Sequence, residues 1–348
     1  MVDRMMKSIR KNLFTIITLI ISIGVLFYFL FTNYGVAALG HTITTLKMDW
    51  LLMAIAGAAL CWALEGFVLH LLCRHLYPKW SYGRSFSVGM IGLLYSALTP
   101  FSTGGQPMQI YSMRKMGMDT GKAGSVVAMK TLTYQIVMVA YSLVLVAMKL
   151  HFFQTSVSNF SFITIIGLIS NSAFIALVAL FMISEKITDK LVTSVIWFLH
   201  KIKLCKHPEQ RYEKIHSQLA IFHDATKLMG KSTKLYVVVM ILTVFQITLN
   251  SLIPYFIYRS FNLHSASVVT IVAAQVFVAM VSAFVPLPGA SGGAEVSFYG
   301  FFGMFFNAAI LPAMLLWRII TYYANILVGS IVAYIGGKRY NIDPNLDP

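Results

Sequence analysis

Leu98-Thr-Pro-Phe-Ser-Thr-Gly-Gly-Gln106 and Pro286-Leu-Pro-Gly-Ala-Ser-Gly-Gly-Ala-Glu295 decide how this chain is read. Each cluster ends an apolar stretch, Ser85 to Leu98 and Ala266 to Val285, where Pro and Gly stop a helix from simply continuing. Overlaid at a shift of 188 residues, Pro100 to Gly105 and Pro288 to Gly293 share the pattern P-x-x-S/T-G-G. The same shift brings Lys130 onto Arg318, Thr133 onto Thr321 and Tyr134 onto Tyr322. Just before the motif, Ser96-Ala97-Leu98 matches Ser282-Ala283-Phe284 at a shift of 186, so the second copy carries two inserted residues. Glycine bias alone does not keep basic and aromatic residues in register, and the pattern reads as an internal repeat.

The solvent in which this repeat folds follows from composition. Of 348 residues 58% are hydrophobic and only 11% charged, against about 25% charged in a soluble domain, so the chain is read as a polytopic membrane protein. A bilayer core of about 30 Å needs about 20 apolar residues in a helix. Runs of that kind extend over Leu13–Asn33, Trp50–Leu72, Ala123–Leu150, Phe162–Ile183, Leu235–Tyr258 and Ala308–Ile335. The first follows Arg4, Lys7, Arg10 and Lys11 but is too long for a signal peptide and lacks an A-x-A site, so it is expected to stay as a span.

The net charge of +15 raises the question of nucleic acid, and the positions of the 27 basic residues answer it. With six spans and both Pro/Gly segments re-entrant, 22 of them fall on the side of the termini, only Lys47, Lys149 and Arg259 opposite, and Lys130 and Arg318 inside spans. The positive-inside rule then makes both termini cytoplasmic, and no nucleic-acid partner is expected. A full crossing by Ala266–Val285 is the alternative, and it would move Lys338 and Arg339 outside.

The expected fold is therefore an all-α polytopic membrane protein with about six transmembrane helices plus two re-entrant Pro/Gly loops. Residues 1–348 form a single membrane domain, with half-repeats over 13–150 and 162–335. Three spans separate the re-entrant segments, so the repeat is inverted. The segment 184–234 reads as a basic cytoplasmic loop, with Leu191–Leu204, carrying Trp197 and Phe198, as an interfacial helix; an ordinary solvated loop is the alternative. Cys61, Cys73 and Cys205 have no metal-ligand spacing, and neither a disulfide, a metal nor a cofactor is expected.

Non-helical backbone at membrane depth is tolerated where it lines a cavity or is buried in protein. Gly104, Gly105, Gly292 and Gly293 permit positive φ and close approach, Ser102, Thr103 and Ser291 offer hydroxyls, and helices beginning near Gln106 and Ala294 aim N–H groups inward. Such N-termini favour anions, and Lys130 and Arg318 add charge. Glu65 and Glu295 are the candidate counter-charges. Tyr134 and Tyr322, one turn beyond the basic residues, are placed to bond a headgroup or hold the cation. Bland alternatives stand beside each: snorkelling for Lys130, a structural pair or a protonated carboxyl for Glu65, a first-turn acid for Glu295, and packing for the tyrosines. A phospholipid headgroup suits the resulting polar, cationic cavity.

These two glycine motifs, with Lys130 and Arg318, resemble the membrane region of the lysylphosphatidylglycerol synthase/flippase family, the multiple peptide resistance factors, over about Leu13 to Gly337. The resemblance implies a flippase that moves lysyl- or other aminoacyl-phosphatidylglycerol from the inner to the outer leaflet of the bacterial cell membrane, contributing to resistance to cationic antimicrobial peptides. In full-length members a cytoplasmic domain makes that lipid from aminoacyl-tRNA. Only 13 residues follow Ile335 and the 184–234 loop is short, so that reaction is not expected of this sequence alone. Expected partners are an anionic or aminoacylated phospholipid and the bilayer; a separate synthase subunit and a homo-oligomer remain open. The competing readings are a phosphatidylglycerol lysyltransferase or its membrane subunit, another lipid-linked or small-solute transporter, and a membrane scaffold.

Overall fold

A computed structural model of the chain describes residues 46–157, 160–202, 207–283 and 285–339, together with Gly24. Apart from Gly24, the span expected at Leu13–Asn33 lies outside the described residues, as do the basic residues ahead of it, Cys205 and Phe284. The described residues are helical throughout, without a strand. In chain order the α-helices are α1 (Met48–Leu76), α2 (Tyr82–Leu98), α3 (Gly105–Lys115), α4 (Thr120–Ser156), α5 (Phe160–Ile183), α6 (Glu185–Lys201), α7 (Pro208–Gly230), α8 (Thr233–Ser260), α9 (Val268–Ser282), α10 (Gly293–Phe306), α11 (Ile310–Arg318) and α12 (Ala324–Arg339). A π-turn, Ile319–Tyr323, joins the last two.

Five helical stretches are long and apolar enough to cross a bilayer: α1, α4, α5, α8 and the run Pro288–Gly337. Four of the expected spans are lengthened by a few residues. The fifth, expected as Ala308–Ile335, is preceded by a break at Asn307, where φ is 47°, and carries the π-turn inside it. Leu143, Phe162, Ile169, Leu177, Ile241 and Leu327 are all more than half exposed, an outward face suited to lipid chains rather than water.

Helices α1 and α8 run antiparallel at the centre. Lys47 N–H donates to Ser260 O at 2.8 Å at one end, Trp50 stacks on Phe256, and the Cys61 thiol reaches Gln246 O further along. Gly57 faces Leu249, Ile253 and Phe256, the small residue letting the helices approach where lipid supplies no hydrophobic driving force.

Each glycine motif sits at the tip of a helical hairpin. In the first, Gly105 faces Ser96 and Gln109 faces Gly92, the pairing of antiparallel α2 and α3. In the second, Gly293 faces Val285 and Phe277 lies 5.9 Å from Phe301, so α9 and α10 are antiparallel too. Helix α9, with 15 residues, is about 22 Å long, short of the about 30 Å hydrocarbon core. An aromatic cluster fixes the second hairpin: Phe153 and Phe160 pack on Phe277, and Phe298 stacks on Trp317 at 4.8 Å.

Helix α4 has 37 residues, about 55 Å, and extends well beyond a bilayer core. Its extension carries α7. Gly121 and Gly124 let α7 lie close, and Gly121 N–H donates to Gln218 Oε1 at 3.0 Å. Among its described residues the segment 184–234 is two packed helices, α6 and α7, with most of the surface of α7 still exposed. Its apolar positions Ile215, Leu219, Phe222 and Met229 recur at helical spacing and turn toward the protein. The expected Leu191–Leu204 overlaps α6, which begins at Glu185 behind Ser184, whose hydroxyl accepts from Ile187 N–H at 3.3 Å; residues 203 and 204 lie outside the described residues.

Candidate functional site

Both charged residues inside spans have found carboxylates. Lys130 of α4 forms an ion pair with Glu65 of α1, and its ammonium also donates to Gln109 Oε1 at 3.2 Å. Glu65 accepts further from Gln109 Nε2 through Oε1 and from Gln246 Nε2 through Oε2, each at 3.3 Å. Helices α1, α3, α4 and α8 therefore converge on one carboxylate. A buried ion pair is tolerated when remaining donors and acceptors are satisfied in this way.

Arg318 closes α11 and is 4% exposed. Its Nε donates to Glu295 Oε1 at 2.7 Å and its Nη1 to Gly289 O at 3.1 Å, while the guanidinium lies 5.1 Å from the ring centroids of both Trp317 and Tyr322. Glu295 turns its other oxygen back to accept from Gly292 N–H at 2.7 Å, closing the first turn of α10. Glu295 thus makes both contacts, one with the start of its own helix and one with Arg318. Nη2 of Arg318 is buried and has no hydrogen-bond partner among the described residues.

The two turns are built differently. Positive φ falls on Phe101 and Ser102 in the first and on Gly289, Ala290 and Gly292 in the second. Gly104 and Gly105 are corrected in this respect: their φ is ordinary and what they supply is close approach. A Cβ on Gly104 would overlap Thr99, and one on Gly105 would overlap Ser96 Oγ. Thr99 Oγ1 instead accepts from Gly104 N–H at 2.8 Å. Ser102 and Thr103 are exposed, whereas Ser291 is buried, its hydroxyl donating to Pro288 O at 2.8 Å. Gly293 approaches Val285 too closely for a Cβ.

The turns touch each other, and Tyr322 joins them. Its ring covers Gly289, and its hydroxyl donates to Ala97 O, at the end of α2, at 3.2 Å. Tyr134, the matching residue of the first half, is 41% exposed and makes no hydrogen bond or ring contact with Lys130 among the described residues. The expected positions thus form two stations. Lys130 and Glu65 make one; Arg318, Glu295, Tyr322, Gly289, Ser291, Gly292 and Gly293 make the other.

The sequence matches the family described as the lysylphosphatidylglycerol synthase TM region over residues 15–329. The chain belongs to that family. It is also similar to a UPF0104 membrane protein of Archaeoglobus fulgidus, 27% identical over 313 residues that cover 82% of this chain and 86% of the relative. With several long apolar helices, this member is a multi-pass membrane protein.

Sequence reasoning passed over Gln109, Gln246 and Thr99. Each is a polar residue in or beside an apolar run, a signal that costs free energy in a membrane unless a partner is present. Gln109 stands four residues beyond Gly105, and Gln246 lies midway along α8; both turn toward Glu65.

Proposed function

We propose that this family member is a phospholipid translocase, with phosphatidylglycerol or its aminoacylated forms as cargo moved from the inner to the outer leaflet. In a bacterial cell membrane that activity contributes to resistance to cationic peptides. The supporting observation is that two cations buried in spans, each held by a carboxylate, stand beside two interrupted hairpins whose tips meet. A cation at membrane depth is costly and is retained where it meets an anion. Arg318 keeps its Nη2 amino group unused, and the Lys130 ammonium, with three donors, spends two on Glu65 and Gln109. Each can take a phosphate oxygen without releasing its carboxylate, while acyl chains stay in the bilayer.

The architecture we read into this chain is an inverted repeat with re-entrant hairpins, six spans and cytoplasmic termini. Matching bounds support it: α2 starts at Tyr82 and α9 at Val268, α3 at Gly105 and α10 at Gly293, offsets equal to the two sequence shifts. The antiparallel pairing of α1 and α8, which correspond under the same shift, suits a two-fold axis in the membrane plane. Alternating access then consists of one hairpin opening while the other closes, with Tyr322 as the contact between them.

Transferase activity is the competing reading, and we favour translocation because both ion pairs lie within candidate spans, beside the paired hairpins. The test is reconstitution of purified protein into vesicles with aminoacylated phosphatidylglycerol in one leaflet, followed by leaflet-selective labelling of its amine. Equilibration faster than in protein-free vesicles is expected; equal rates overturn the proposal.

A further inference from the structure

A cavity of about 1400 Å³ lies apart from both ion-paired stations, between α3, the first turns of α4, the second half of α5 and α7. It exceeds the about 300–1,000 Å³ typical of a drug-sized pocket. Its lining separates into two chemistries. Arg114 comes from the last turn of α3, and Arg211 and Lys214 from the first turns of α7. Phe174, Leu177 and Phe181 supply an apolar wall from α5, the span with the least of its surface covered by protein.

None of these three cations is in an ion pair among the described residues. The one acid in the lining, Asp119, is held by Lys122 at 3.1 Å. The cavity therefore carries uncompensated positive charge. Along α4 the lining runs from Thr120 to Thr131, about 16 Å, from the extension that carries α7 to the level of Lys130. At its inner end are Thr131, next in sequence to Lys130, and Gln106, in the first turn of α3 behind the first glycine motif.

We infer that this cavity is a binding chamber for an anionic phospholipid of the cytoplasmic leaflet, with its phosphate on Arg114, Arg211 and Lys214 and an acyl chain along Phe174, Leu177 and Phe181. A soluble phosphate ester shares the headgroup chemistry but leaves the α5 wall unused, and a zwitterionic lipid leaves the cations uncompensated. Helix α7, clamped on α4 at Gly121, supplies the cationic side of the chamber. The site stands on its own geometry and requires no transport to be occupied.

The test is binding to full-length protein in detergent micelles, read by retained lipid in native mass spectrometry and by thermal shift. The probes are phosphatidylglycerol, phosphatidylcholine and soluble glycerophosphoglycerol. Preference for phosphatidylglycerol over phosphatidylcholine by about tenfold or more is expected from three surface-proximal cations. That preference disappears in Arg114→Gln/Arg211→Gln/Lys214→Gln, and Leu177→Trp lowers retention of both lipids. Lys47→Gln, at the opposite end of α1 from the chamber, keeps it, which separates the chamber from a general effect of surface charge. Equal retention of the two lipids by the native chain, an unchanged preference in a folded triple variant, or displacement of lipid by glycerophosphoglycerol at equal concentration overturns the inference.

Discussion

The Tyr322 hydroxyl donates to the backbone carbonyl of Ala97 at 3.2 Å, joining positions 225 residues apart and linking the tips of the two hairpins. Tyr322 also roofs Gly289, whose φ is 58°. Removing the hydroxyl in Tyr322→Phe leaves the ring over Gly289 but strands a carbonyl at a buried residue, a loss of about 1–3 kcal/mol. The expected outcome is a lower thermal midpoint together with altered translocation. An unchanged translocation rate would remove this contact from the proposed cycle.

Arg318 and Glu295 form a pair with side chains 5% and 2% exposed. Arg318→Ala leaves Glu295 buried and uncompensated, and breaking such a pair costs about 3–5 kcal/mol. Arg318→Met/Glu295→Gln removes both charges and is expected to recover most of that stability. Translocation should stay lost in the double variant, so denaturation and transport, measured together, separate a structural pair from a lipid-binding one.

Lys130 and Glu65 provide the parallel experiment by charge exchange. Lys130→Glu and Glu65→Lys each place like charges together and should each lower stability. The combined exchange restores an opposite-charge pair, and a double-mutant cycle should give a coupling of about 0.5–3 kcal/mol. A coupling near zero would show that Gln109 and Gln246 carry the carboxylate without help from the ammonium.

A Cβ at Gly121 would overlap the backbone of Gln218 and Phe222. Gly121→Leu is therefore expected to lift α7 from α4, since overpacking of this kind costs about 1–3 kcal/mol. Limited proteolysis should then cut within Pro208–Gly230 faster than in the native protein.

Glu185 and Lys227 tie α6 to α7 at 2.6 Å. The hydrogen bond and charge of Lys227 hold the Glu185 carboxyl below its usual range, and the same contacts raise the Lys227 ammonium. A depressed carboxyl pKa adds stability above its unfolded value, lost as pH falls through the folded value. A raised ammonium pKa adds stability below its unfolded value, lost as pH rises through the folded one. Hydrogen-exchange protection of Glu185–Lys201 and Pro208–Gly230, taken relative to the intrinsic rate at each pH, should be highest near neutral pH and fall in acid, and Glu185→Gln should flatten that acid limb.

The long helices α1, α4, α5 and α8 and both interruptions were legible because membrane helices announce themselves by length, and Pro and Gly by stopping them. The pairing of Arg318 with Glu295 was within reach, since both belong to one half of the chain. Glu65 was less so: its partners Lys130, Gln109 and Gln246 come from three other helices, and no spacing rule links them. Helix α7 was passed over because its apolar face is diluted by Arg211, Lys214 and Lys227, and length-based reading favours uninterrupted runs. The π-turn after Arg318 left no local signature; it keeps Tyr322 beside the guanidinium while the helix continues.

The central claim is most directly tested by leaflet-resolved translocation of aminoacylated phosphatidylglycerol in vesicles containing native protein, Arg318→Met/Glu295→Gln or Lys130→Met/Glu65→Gln. Native protein should equilibrate the lipid faster than protein-free vesicles, and both folded double variants should fall to the protein-free rate. Native rates in both double variants, at unchanged thermal stability, would contradict the account.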